Sequence, residues 1–190
     1  TSGSELSLGQ ALLMQGKLTD AARIIRKAFR RVQHLGLADQ VFAMAWLGAA
    51  YLAMGKNKTA YQLTGKAVRA QKKFGWDTVT ASDFPAQEVC WWHYAVIAEL
   101  QKINPGNVLA EEAWQTLDQA KEMLLARISA LSDDGLRRNY FNKIKINRNI
   151  LQAWMEQAAL RKISIEPLIA QLNRSGNVQE PFKRLVEIGM

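Results

Sequence analysis

Apolar and small positions recur at helical spacing through the first part of the chain, and the whole pattern then repeats. Leu8-Gly9, Leu12, Gly16, Ala21 and Ala28 are answered by Leu47-Gly48, Tyr51, Gly55, Ala60 and Ala67, all displaced by the one offset that carries Leu8 to Leu47. A pair of helices cannot bury its apolar face alone, so a period of this length implies stacked hairpins that share a core. Leu-Gly in the first helix of each copy lets a neighbouring helix approach closely, because glycine has no side chain. Gly16 and Gly55 fall at the turn, where a positive φ ends a helix at little cost. Ala21 and Ala60 come early in the second helix, where the two helices cross. Ala28 and Ala67, two helical turns later, lie on the same face. The plainer alternative is an antiparallel helical hairpin with small contact residues and no family relationship.

The spacing predicts helices at about 5–15, 18–35, 38–54 and 57–74. Thr19 suits the N-cap of the second, and His34 with the basic residues before it suits a C-terminal turn. Gly75-Trp76-Asp77-Thr78 through Ser82-Asp83-Phe84-Pro85 reads as a break. A third hairpin follows over about 85–131. Its first helix holds Val89, Trp91, Trp92, Tyr94, Ala95, Ile97 and Ala98, its turn is Asn104-Pro105-Gly106-Asn107, and Ala113, Leu117 and Ala120 repeat the small-residue marks. Ser132-Asp133-Asp134-Gly135 starts a long helix over about 135–161, with Leu136, Tyr140, Phe141, Ile144, Ile150, Leu151 and Trp154 on its apolar side. Ser164 caps a short helix at about 165–173, Arg174-Ser175-Gly176-Asn177 breaks the chain, and Pro181-Phe182 opens a last helix with Leu185, Val186 and Ile188. The segments are therefore 5–75 (two repeats), 76–84 (connecting loop), 85–131 (degenerate third hairpin), 132–175 (long and short helices completing the array) and 177–190 (a connector to a further domain). No strand pattern survives. The expected fold is all-α: antiparallel helical hairpins in an α-α superhelix of seven to nine helices.

Composition agrees with a packed domain. The 190 residues are 48% apolar with four prolines, which argues against disorder. A single cysteine, Cys90, precludes an internal disulfide or a zinc cluster and fits a reducing, cytoplasmic compartment. The longest apolar run, Val41 to Met54, is too short for a bilayer and better read as a central buried helix. No signal peptide is legible, and Thr-Ser-Gly at the start reads as a scar or cut in a longer protein.

Candidate chemistry is sparse. Trp91-Trp92-His93-Tyr94 offers the parts of a stacking platform, but adjacent helical residues point about 100° apart and cannot line one pocket. Packing against two neighbours accounts for them better. His93 has the chemistry of a general base, yet the other histidine, His34, is remote in sequence and no nearby Ser, Cys or carboxylate completes an arrangement. Glu111-Glu112 and Asp133-Asp134 begin helices, where carboxylates favour the helix dipole. Phosphate loops, HExxH and dinucleotide fingerprints are absent, so no catalytic residue, cofactor or metal is assigned. The net charge of +8 raises the prospect of an acidic partner. Its carriers cluster as Arg23, Arg26, Lys27, Arg30 and Arg31; as Lys66, Arg69, Lys72 and Lys73; and as Arg137, Arg138, Lys143, Lys145 and Arg148.

The repeat marks resemble the tetratricopeptide repeat, whose signature is Leu-Gly, an aromatic three positions on, a turn glycine and two spaced alanines. The second copy matches well, Tyr51 included. The first has Leu12 for the aromatic and Ile25 at a usually aromatic site, and neither ends in the customary proline. The period exceeds the family's usual length of about 34 residues, implying longer helices. The later run, from Trp91-Trp92-His93-Tyr94 through Leu136-Arg137-Arg138-Asn139-Tyr140-Phe141 to Ile146-Asn147-Arg148-Asn149-Ile150-Leu151-Gln152-Ala153-Trp154, resembles the divergent helical-repeat segment of large bacterial signalling proteins. Glu180 to Ile188 looks like a connector into a GAF domain. In such proteins a regulatory P-loop ATPase lies upstream and a GAF, cyclase or histidine-kinase module downstream; none of those catalytic residues is present here.

The resemblance implies a non-catalytic scaffold that binds a protein partner or neighbouring domains of its own chain. It puts the basic clusters on the solvated convex side and the ligand groove on the first helices. The matching groove positions are Leu6 and Gln10, with Phe42, Ala45, Ala49 and Leu52 as the candidate binding face. That groove lacks the Lys and Asn of a carboxylate clamp and is apolar enough to be filled by later helices or another domain. The competing readings are an effector-sensing pocket near Gln10, Trp46 and Trp92, and nucleic-acid binding along the basic clusters. Membrane association is not expected.

Overall fold

Helices make up nearly all of the residues that the computed structural model describes, which are 2–32, 37–75, 85–105 and 109–174, and no strand occurs among them. Nine helices are described: α1 Ser2–Met14, α2 Leu18–Val32, α3 Leu37–Ala53, α4 Asn57–Lys73, α5 Ala86–Ile103, α6 Ala110–Ala130, α7 Asp134–Asn142, α8 Lys145–Leu160 and α9 Glu166–Arg174. The 76–84 connector, His34, Gly106 and Asn107 of the expected turn, the 175–177 break and the expected helix from Pro181 lie outside the described residues. The chain divides into two compact units, Thr1–Thr116 and Leu117–Met190, so that α6 begins in the first and continues in the second.

In the first unit the sequence repeat is also a geometric one. Gly16 and Gly55 turn the chain with φ of 75° and 71°, a region glycine enters without a Cβ clash. The hydrogen bonds around them recur at the same offset. Gly16 N–H reaches Leu13 O at 3.0 Å and Gly55 N–H reaches Leu52 O at 2.9 Å; Lys17 N–H to Leu12 O and Lys56 N–H to Tyr51 O are both 2.9 Å. Gly9 and Gly48 mark the helix crossings. A Cβ on Gly9 would overlap Ile25 Cγ1, and one on Gly48 would overlap Thr64 Cγ2. Ala21, Ala28, Ala60 and Ala67 are fully buried.

Helices pack in succession: α1 on α2, α2 on α3, α3 on α4, and α5 on both α3 and α4. Val41, Ala45, Ala67 and Val89 form a buried cluster that Phe42, Met44, Val68, Ala70 and Trp92 surround. Thr19 does not cap α2. The helix starts at Leu18, whose N–H bonds to Gly16 O at 2.9 Å, so the glycine turn leads straight into the helix and leaves no cap position for Thr19.

The second unit departs from the sequence reading at one place. The single helix expected over 135–161 is two, α7 and α8, with extended backbone at Ile144 (φ −88°, ψ 107°). Fully buried Asn147 donates Nδ2–H to Tyr140 O at 2.8 Å, and Arg148 donates to Asn142 O. These side chains take up carbonyls that a continuous helix would have bonded itself. Asp133 caps α7 as expected, accepting from Leu136 N–H at 2.8 Å, and Ser164 Oγ accepts from Glu166 N–H at the start of α9. Trp154 donates Nε1–H to Asp118 at 2.8 Å, while Lys121 bridges Asp118 and Glu122 and sits 4.3 Å from the Trp154 ring centroid. No described helix is long and apolar enough to cross a membrane.

Candidate functional site

The face chosen from the sequence sits mostly inside the first unit. Ala45 and Ala49 are 0% and 2% exposed, whereas Phe42 and Leu52 are half-buried. Val89 joins Val41, Ala45 and Ala67 in the core cluster and Trp92 packs against it. The apolar side of α3 is thus filled by α5, one of the two occupants its composition called for. What remains accessible is the edge carrying Phe42 and Leu52. Gln10 is half-buried on α1, and Trp46 and Trp92 touch each other with ring centroids 4.9 Å apart.

The polar centre of this unit is elsewhere, around His93. The sequence near that residue shows no recognisable catalytic arrangement, but packing brings a threonine hydroxyl and a carboxylate to it from other helices. Thr64 Oγ1 lies 2.9 Å from His93 Nδ1, and Glu112 Oε1 lies 3.0 Å from His93 Nε2. Tyr61 donates its hydroxyl to Glu112 Oε2 at 2.8 Å and lays its ring beside the imidazole, centroids 5.3 Å apart. One imidazole therefore ties α4 (Tyr61, Thr64), α5 (His93) and the first turn of α6 (Glu112) together. Gly65 gives the ring room, since a Cβ there would stand 3.2 Å from His93 Cε1.

The sequence holds one signal for Thr64. Its repeat counterpart is Ile25, and both are fully buried against the crossing glycine. A hydroxyl where the first copy has a hydrocarbon needs a partner, and His93 supplies it. Glu112 stands in the first turn of α6, where its position along the chain predicts only a helix-dipole role. Its carboxylate also accepts from two side chains of neighbouring helices.

Proton placement follows from satisfying each group. Burial holds the His93 pKa below 6.5; the Glu112 contact opposes this and Arg69 adds to it. The neutral ring has one N–H. Placed on Nε2, it donates to Glu112, and Nδ1 then accepts from the Thr64 hydroxyl. Thr64 Oγ1 also stands 2.9 Å from Ala60 O, so its proton has two acceptors to choose from. The Tyr61 pKa is raised, first by burial and then by the bond to Glu112.

Hydroxyl, imidazole and carboxylate are the groups of a hydrolase triad, but this arrangement does not present a nucleophile. Thr64 is 0% exposed and lies under Gly48 and Ala60. Its hydroxyl is closed off from solvent. A half-buried acid stands on the same helix, α5: Glu88 accepts from Trp46 Nε1–H at 3.1 Å, and desolvation raises its pKa to about 7 against the lowering effect of that bond. Cys90 is buried, with Sγ 3.5 Å from Gln71 Oε1. Trp91 pairs with Tyr94 while Trp92 pairs with Trp46, so the aromatic run divides between two faces of α5 as its helical spacing requires.

Two carboxylates, Glu5 and Asp20, offset part of the charge of the first basic cluster. Lys27 and Arg31 hold Glu5 at 2.9 and 2.6 Å, and the Lys27 hydrogen bond leads the effects that lower the Glu5 pKa. Arg23 pairs with Asp20 at 3.1 Å, and Arg26 donates to the Tyr51 hydroxyl. Lys66, Arg69, Lys72 and Lys73 are exposed along α4. Among the described residues no group of three or more His, Cys, Asp or Glu side chains is placed to hold a metal ion. No family model, curated protein or solved structure matches the chain.

Proposed function

We propose that this chain is a non-catalytic, tetratricopeptide-like scaffold of a bacterial signalling or regulatory protein, holding a protein partner or neighbouring modules. The observation that carries the reading is the recurrence, at one constant offset, of both the positive-φ glycine turns and the glycine crossings. The polar groups gathered around His93, namely Thr64, Glu112 and Tyr61, are engaged with it or with one another. Such a module works by presenting side chains on a rigid frame, and Phe42 and Leu52 are the apolar ones that its α3 edge offers.

The test uses the protein as bait at moderate salt and compares it with Leu52→Lys. A protein retained by the parent and lost by the variant, with the helical circular dichroism unchanged, supports the scaffold. Recovery of nucleic acid alone, released by salt and indifferent to Leu52, overturns it in favour of the basic clusters. One observation favours the effector-sensing alternative: among the described residues Trp92 Nε1 is buried without an acceptor, beside the Trp46–Glu88 pair. An effector seated there would accept that proton and change indole fluorescence on binding.

A further inference from the structure

The second hairpin keeps cations of the first and drops the acid that holds them. Lys27 and Arg30 of α2 correspond, at the repeat offset, to Lys66 and Arg69 of α4. In the first copy Glu5 of α1 holds Lys27 and Arg31 at 2.9 and 2.6 Å. The counterpart of Glu5 is Met44, which packs against the buried cluster of α3, α4 and α5. The Arg23–Asp20 pair is lost differently, since both members change together, to Gln62 and Thr59. Lys66 is thus a cation retained without its acid.

The rest of α4 extends the imbalance. The helix contains no Asp or Glu. Lys58, Lys66, Arg69, Lys72 and Lys73 make up its exposed side chains apart from two neutral ones. None of the five has an ion pair among the described residues. Glu112, whose carboxylate reaches Tyr61 of α4, is also engaged by His93. Lys72 and Lys73 stand in the last turn, where they suit the helix dipole. Lys58 stands in the first turn and opposes it, and Lys66 and Arg69 repel each other across one turn. At about 100° per residue, Lys58, Lys66, Arg69 and Lys73 fall within about 80° of one another, in a stripe about 22 Å long.

We infer that this exposed face of α4 docks an acidic protein segment, whose carboxylates do for Lys66 and Arg69 what Glu5 does for Lys27 and Arg31. The inference rests on the scaffold reading and adds the chemistry of a partner. Carboxylate is favoured over phosphate by the first copy, where a helix-borne carboxylate satisfies the same register of cations. The other basic clusters do not lengthen the stripe into a track for nucleic acid. Lys27 and Arg31 hold Glu5, Arg137 bonds Leu131 O and Asp134, and Arg148 bonds Asn142 O.

Fluorescence anisotropy of a labelled Glu-rich peptide, titrated with the purified chain at about 50 mM salt, tests this. The expected result is saturable binding that Lys66→Met with Arg69→Gln weakens by about tenfold. Lys27→Met with Arg30→Gln removes the same charge from the counterpart positions and should weaken it by about twofold or less. Met44→Glu, which restores the counterpart of Glu5, should also weaken binding while every cation stays in place. The cations exchanged are exposed, so both double variants keep their helical circular dichroism. Absence of binding overturns the inference, as does equal loss in the two double variants, which is attraction by net charge alone. Tighter binding of a DNA duplex through Lys66 and Arg69 overturns it in favour of a phosphate partner. Capture of a protein through Leu52 is read separately, so it can stand when peptide binding fails, and peptide binding can stand when that capture fails.

Discussion

Thr64→Val tests whether the His93 relay contributes to stability as its geometry requires. Valine keeps the branched shape and the methyl against Gly48 but deletes the hydroxyl 2.9 Å from His93 Nδ1. The ring is only 2% exposed, so water does not replace the lost donor. Leaving one buried polar atom unpaired costs about 1–3 kcal/mol, a large share of the roughly 5–15 kcal/mol that holds a domain folded. In a His93→Leu background there is no imidazole to orphan, and valine at 64 merely replaces a hydroxyl whose other acceptor was Ala60 O. There the same substitution should cost close to nothing. The four proteins form a double-mutant cycle, read by urea unfolding with far-UV circular dichroism, with an expected coupling of about 1–2 kcal/mol. Equal cost of Thr64→Val in both backgrounds would refute the reasoning, because the hydroxyl would then owe nothing to His93.

Other outcomes follow from the same contacts. Gly48→Ala should destabilise by about 1–3 kcal/mol through overlap with Thr64 Cγ2, and Thr64→Ser, which removes that methyl and keeps the hydroxyl, should reduce the penalty; thermal melts of the pair decide. For His93 the folded pKa is depressed, so its contribution to stability is whole above 6.5 and is lost as pH falls through the folded value. The drop should be smaller in His93→Leu when unfolding is followed across pH. Glu88 runs the other way: its folded pKa of about 7 exceeds 4.5, so its contribution is whole below 4.5 and is lost as pH rises through about 7. Glu88→Gln, which can still accept from Trp46, should therefore stabilise the protein at alkaline pH by an amount on the order of 1–3 kcal/mol and do little in acid. A constant difference across pH would contradict this.

The helical array is legible in the sequence because its punctuation is local. Glycine at a turn or a crossing declares itself by type and spacing, and Gly16, Gly55, Gly9 and Gly48 behave as their positions require. Side chains that reach back along the chain are not legible in this way. Asn147 and Arg148 interrupt the expected helix by binding carbonyls of Tyr140 and Asn142, which apolar periodicity does not register. The relay is hidden for a similar reason. Thr64, His93 and Glu112 lie on three helices, and only packing brings 64 and 112 to one ring. Alignment of the two copies nevertheless isolates Thr64 as the polar member of an apolar pair with Ile25, a difference written in the sequence itself.

His93 is, on this geometry, a structural link between three helices rather than an acid–base group open to substrate. Nitrogen-15 NMR of the imidazole, with His34→Gln to remove the other histidine, reads this directly. The predicted spectrum is a neutral ring protonated on Nε2, with Nδ1 accepting a hydrogen bond, and the ring takes up its second proton only below the ordinary imidazole value of 6.5. An imidazolium at neutral pH, or a ring exchanging rapidly between tautomers, would contradict it.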